Sequence, residues 1–204
     1  QGGIVPYRPF GGTGVMGSAY GCDATRLPLQ TAKPADIDVT QAVRLIRTAA
    51  DAGGNTLDTA HPYPGGRSEI VVGIAVRDGD RGRVKLATNL PSRLVKTAGD
   101  FDTLVRERLA RLETDRIDYC LPHDLDASLD PAFGTSEFWS EPGAPSMAAG
   151  SVIGALGFSF PGQLPLHRAI VGLGPGPRVR SNATSGTGAA TPAEKAWPTP
   201  RRAV

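Results

Sequence analysis

Asp58 closes a strand-like run (NTLDTA, residues 55–60), Tyr63 follows five residues later in the loop HPYPGGR, and His123 closes another such run (RIDYCLPH, residues 116–123). A carboxylate, a phenol and an imidazole are groups that move protons at a polarised oxygen. The phenol is the sluggish member, because with a pKa of about 10 it needs a neighbouring cation to stabilise its anion near neutral pH. Each residue also has a plainer reading. An Asp at a strand end often bonds a loop or caps a helix, Tyr63 between Pro62 and Pro64 reads as a rigid loop aromatic, and a lone His is more often structural.

The elements that must position these residues alternate along the first part of the chain. A short strand over 16–22 follows a stretch whose GGTG reads as a hairpin turn. Asp38 and Gln41 form a capping-box pattern, Val39, Val43, Ile46 and Ala50 follow at helical spacing, and Gly53-Gly54 stops the helix. The strand at 55–60 and the His61–Arg67 loop lead to a helix that the sequence caps with Ser68 and ends at Gly79. A third strand, VKLATN, spans 84–89. The next helix buries Phe101, Leu104, Val105, Leu109 and Leu112 and carries Asp102/Arg106 and Glu107/Arg111 outside at i,i+4 spacing. RIDYCLPH is a fourth strand and VIGALGFSF, over 152–160, a fifth, after a Gly/Pro/Ser-rich stretch where a fourth helix would stand.

Strand and helix in strict alternation predict an α/β fold. No GxGxxG follows the first strand, so a (β/α)8 TIM-type barrel is expected over a doubly wound sheet. Only about the first five βα units have sequence here, so the expected barrel is incomplete. Its edges would be open to self-association and interior residues such as Leu86 or Leu121 uncovered. Residues 1–171 are expected to form this partial barrel. Residues 172–204, rich in Gly, Pro, Ala and Arg, show no periodicity and are expected to be disordered.

Composition narrows the remaining possibilities. A formal net charge of +2 gives no reason to expect nucleic acid as a partner. No apolar run reaches the roughly 20 residues of a membrane span. Cys22 and Cys120 lie far apart among apolar neighbours, which suggests small core residues in a reduced, cytoplasmic setting and no metal cluster.

The segments YRPFGGTG, LDTAHPYPGGRSEIVVG, VKLATN, RLARLETDRIDYCLPH and GALGFSF each resemble a segment of the aldo/keto reductase family, in the family's order. The resemblance covers roughly residues 6–126 and 150–171 and is closest to the branch of oxidoreductases that often carries a C-terminal iron–sulfur domain; the clustered cysteines of that domain are absent, so no cluster is expected. It implies an oxidoreductase that uses NADP to reduce a small aldehyde or ketone. By the same resemblance Tyr63 is the acid, His123 orients the carbonyl, and Asp58 holds a lysine at the end of the third strand. That lysine position is Asn89, and Lys85 on the same strand lies roughly 13 Å too far back to replace it. Gly157 and Ser159 fall where the family's fifth strand approaches the nicotinamide. Loss of the cation endangers most of the roughly 10²–10⁴-fold that a general acid contributes, which leaves a non-catalytic barrel as the alternative.

Overall fold

The computed structural model describes residues 5–10, 13–123, 125, 152–159 and 179–181. An antiparallel hairpin, β1 (Tyr7–Pro9) and β2 (Met16–Ser18), precedes a parallel sheet. The sheet contains β3 (Gly21–Asp23), β4 (Thr56–Ala60), β5 (Lys85–Pro91), β6 (Ile117–His123), β7 (Ile153–Ser159) and β8 (Val179–Ser181). Its strands lie side by side in chain order and all pair in parallel. A sheet that steps always in one direction is the winding of a βα barrel, whereas a doubly wound sheet reverses its order. The barrel is not closed among the described residues, with β3 and β8 at its two edges.

Among the described residues three α-helices cover the outer face: α1 (Val39–Asp51), α2 (Ser68–Ala75) and α3 (Ala98–Leu112). Asp38 caps α1, its carboxylate accepting from the Gln41 amide at 2.9 Å. The helix ends in a Schellman pattern, with the Gly53 amide bonded to the Ala50 carbonyl, the Gly54 amide bonded to that of Ala49, and Gly53 at φ +95°. α3 starts in a reciprocal Thr97/Asp100 capping box and buries Phe101, Leu104, Val105 and Leu112. Gly73 lets α2 approach the end of α3 closely, since a Cβ there would stand 2.7 Å from the Leu112 carbonyl oxygen.

The expected elements are present, with several corrections. The strand expected over 16–22 is two strands broken after Ser18. Asn55 makes the break by accepting from the Ser18 amide (2.7 Å) and donating its own amide to Ser18 Oγ (2.9 Å). Ser68 is not a cap: it lies inside the first turn of α2 and its hydroxyl points into the sheet. α2 ends at Ala75, ahead of a turn in which Asp78 and Gly79 take positive φ. Leu86 faces the helices and belongs to the helix-side core, and both it and Leu121 are fully buried. In the stretch read as disordered, Val179–Ser181 pairs with Gly157–Ser159; a three-residue ladder of backbone bonds leaves no periodicity in the sequence to detect. The boundary at 171, the expected fourth helix and the rest of 172–204 lie outside the described residues. Among the described residues no helix is long and apolar enough to cross a membrane.

Candidate active site at the C-terminal ends of the strands

Side chains alternate across a sheet and parallel partners share a face, so the register assigns the inner residues by layer. Asp58 of β4 pairs with Ala87 of β5, Ala87 with Tyr119 of β6, and Tyr119 with Ala155 of β7. The next layer pairs Ala60 with Asn89 and Asn89 with Leu121, and the one above it pairs Pro91 with His123. Below, Phe10 of the hairpin loop stacks at 4.9 Å on Tyr119 beside Ala87, Leu121 and Ala155, and fills the N-terminal end of the barrel interior. The groove lined by Arg8, Phe10, Ser18 and Tyr20 lies at that end, remote from His123. Chemistry is left to the opposite, C-terminal end, where βα barrels place it.

The sequence-nominated residues meet there in two contacts. Asn89 is 1% exposed; its Nδ2 donates to Asp58 Oδ1 at 3.2 Å and to the Thr59 carbonyl at 2.9 Å. Tyr63 and His123 meet edge to face, ring centroids 5.9 Å apart. His123 stands one inner layer, about 7 Å, beyond the level of Asn89. Gly157 and Ser159 are buried at the end of β7 and alternate in phase with inner Ala155.

The electrostatics at Asp58 follow from what Asn89 lacks. Burial and then the neighbouring carboxylate of Asp23, its register partner on β3, push the Asp58 carboxyl up to about 7, while donation from Asn89 and from the Thr59 amide opposes the rise. Among the described residues no cation contributes to the shift. An amide supplies a hydrogen bond without a charge, so Asp58 is poised between its neutral and ionised forms near pH 7. Asn89 Oδ1 is buried and has no hydrogen-bond partner among the described residues. Lys85 is committed elsewhere, its Nζ 3.6 Å from Asp118 at the N-terminal end of the strands.

The sequence profile of the aldo/keto reductase family matches residues 28–155, more than half of the chain. The chain belongs to the aldo/keto reductase family. It is similar to an aldo/keto reductase from Klebsiella pneumoniae solved in complex with NADP and acetate, at 26% identity and TM-score 0.62, over 78% of this chain and 51% of that one. It is likewise similar to an aldo-keto reductase from Klebsiella pneumoniae in complex with NADPH, at 25% identity and TM-score 0.63, over 82% and 53%. A thermostable aldo-keto reductase in complex with the inhibitor epalrestat aligns at 25% identity and TM-score 0.67, over 85% and 60%. This aldo/keto reductase chain therefore spans 51% to 60% of the length of those structures. No curated protein matches its sequence.

Sequence reasoning missed the residues that support the site. Glu69, in the first turn of α2, is fully buried and bonded to Thr88 of β5 (2.7 Å) and Arg111 of α3 (2.8 Å), with Arg108 Nε at 3.1 Å. Arg111 thus turns inward and does not make the expected surface pair with Glu107, which contacts Arg108 instead. His61 is half-buried with Nδ1 lacking a hydrogen-bond partner among the described residues; burial and then the charge of Arg108 lower its pKa. An ion pair across two helices has no short-range signature. The only hint is one of composition, a Glu and two Arg on segments that otherwise read as apolar faces.

Proposed function

We propose that this chain carries a carbonyl-reducing site of the aldo/keto reductase type, acting on an aldehyde or ketone with NADP as cofactor. The observation that carries the reading is the edge-to-face contact of Tyr63 and His123 at the C-terminal end of the strands. The described residues fit the nicotinamide end of such a cofactor. Gly157 leaves the inner face of β7 without a side chain, Ser159 offers a hydroxyl beside it, and Asn89 Oδ1 is a buried acceptor still open to an N–H donor. When bound, the cofactor supplies the hydride. The Tyr63 phenol then donates a proton to the carbonyl oxygen as negative charge grows there, and the His123 imidazole donates a second hydrogen bond that orients it.

Asp58 and Asn89 act on this proton transfer indirectly. An amide at Asn89 brings no charge to the tyrosinate that forms as the proton leaves, so this pair does not speed the transfer as a lysine would. A second reading, a barrel that binds a nicotinamide without turning it over, is favoured by one feature, the Asp58 carboxyl raised with no cation contributing among the described residues. NADPH binding followed by cofactor fluorescence, alongside NADPH consumption with a panel of aldehydes and quinones, separates the two. Consumption that disappears in Tyr63→Phe supports the reductase. Binding with no consumption supports the second reading, and neither binding nor consumption overturns both.

A further inference from the structure

We propose that the buried Glu69 and Arg111 pair is the positioning device for Tyr63, locking the loop that carries it to two strands and a helix. The proposal rests on the proton-donating role of Tyr63, and its test is read on the Tyr63 ring itself so that the two stand or fall separately.

The same alternation that turns Asp58 and Asn89 inward turns Thr59 and Thr88, one residue away on each strand, outward toward α2. Both reach consecutive residues at the start of that helix. Thr88 Oγ1 donates to Glu69 Oε1 at 2.7 Å. Ser68 Oγ lies 2.8 Å from Thr59 Oγ1 and 3.0 Å from the Ala24 carbonyl. A carbonyl only accepts, so the Ser68 hydroxyl proton goes to Ala24 and Thr59 is the donor to Ser68. The site strands therefore hold the start of α2 from behind.

The loop between β4 and α2 is tied at each end and in the middle. The Tyr63 amide donates to the Ala60 carbonyl (3.2 Å), and the Tyr63 carbonyl accepts from the Ser68 amide (2.8 Å). The Arg111 guanidinium reaches across from α3 with one N–H on the Gly66 carbonyl and another on Glu69 Oε2 at 2.8 Å. A planar fork that donates in two directions fixes the loop backbone relative to Glu69, which a point-charge ammonium does not do. Glu69 is 0% exposed, and a carboxylate so placed needs every one of its partners.

Packing of α2 on α3 has its own apolar basis in Val71, Val72, Val105 and Leu112, helped by the close approach at Gly73. The polar pair is thus concentrated where the loop is. A comparable network with no link to Tyr63 exists at the other end of the sheet, where Asp118 accepts from Arg81 at 2.8 Å and Arg116 at 3.1 Å. It provides the control for a merely structural role.

The test uses the full chain with ¹³C-labelled tyrosine, the Tyr63 Cζ signal being assigned by its loss in Tyr63→Phe. In folded Arg111→Met the expected result is a shifted Tyr63 Cζ signal and loss of the ring-to-ring cross-peak to His123, with both retained in Arg81→Met. Unchanged Tyr63 signals in folded Arg111→Met overturn the proposal, as does an equal change in Arg81→Met. Hydrogen exchange in the unsubstituted chain decides the matter if Arg111→Met does not fold. The Ser68 amide, which bonds the Tyr63 carbonyl, is expected to exchange as slowly as those in the middle of α2, and fast exchange there overturns the proposal.

Discussion

Replacing Asp58 by asparagine removes a carboxyl that folding lifts from an ordinary 3.8 to about 7. An acid whose pKa is raised on folding is bound by more protons in the native than in the unfolded state between those two values, so stability falls as pH rises through that window. The penalty is absent below about pH 4 and complete above about pH 7. A shift of about three units, at about 1.4 kcal/mol each, sets an upper figure of about 4 kcal/mol. Asp58 is half-buried, and solvent screening brings the expected effect to about 2–3 kcal/mol. The substituted side chain keeps an amide oxygen to accept from Asn89, so little else changes. Urea unfolding followed by circular dichroism, at about pH 5 and about pH 8, compares Asp58→Asn with the parent. Part of the effect is already present at about pH 5, so the variant should gain about 1–2 kcal/mol relative to the parent between the two conditions. A constant difference across that range, or a ¹³C titration placing the Asp58 carboxyl near 4, would refute the electrostatic account of the site.

Asn89→Lys places a cation beside Asp58. It is expected to bring the Asp58 carboxyl down toward the ordinary carboxylate range and to raise NADPH-dependent turnover by about 10²-fold; carboxyl titration and initial rates check the two effects separately. Gly73→Ala drives a methyl into the Leu112 carbonyl, and urea midpoints should show a loss of about 1–3 kcal/mol, as for other overpacked contacts. Cys120 is fully buried and its thiol is pushed well up by that burial. Mass spectrometry after brief alkylation of the native chain should find it unmodified until urea is added.

Much of this protein is legible in its sequence. Strand and helix alternate with different periods, so β4, β5, β6, β7 and the helices between them could be placed from apolar spacing together with caps and glycine stops. The segments around Asp58, Tyr63, Asn89 and His123 carried the family, because a strand end and the loop after it are contiguous in the chain. The absence of a lysine at Asn89 is likewise a fact of sequence. Its consequence is tertiary: Asp58 rises to about 7 through burial and the carboxylate of Asp23, 35 positions earlier in the chain, which the register of β3 on β4 sets beside it.

What only the tertiary structure decided are the pairings between distant segments. Asn55 splits the first strand by bonding Ser18, 37 residues away. Ser68 looks like a helix cap in its own segment, yet it serves the sheet, because Ala24 and Thr59 arrive beside it only when three segments pack. Glu69, Arg108 and Arg111 read as ordinary helix charges until α3 folds over α2 and encloses them. Local propensity and periodicity act over a few residues, so they fix the elements and which of their faces is apolar. Register and burial are set jointly by elements far apart in the chain, and they decided which polar side chains were left with charge, partner or neither.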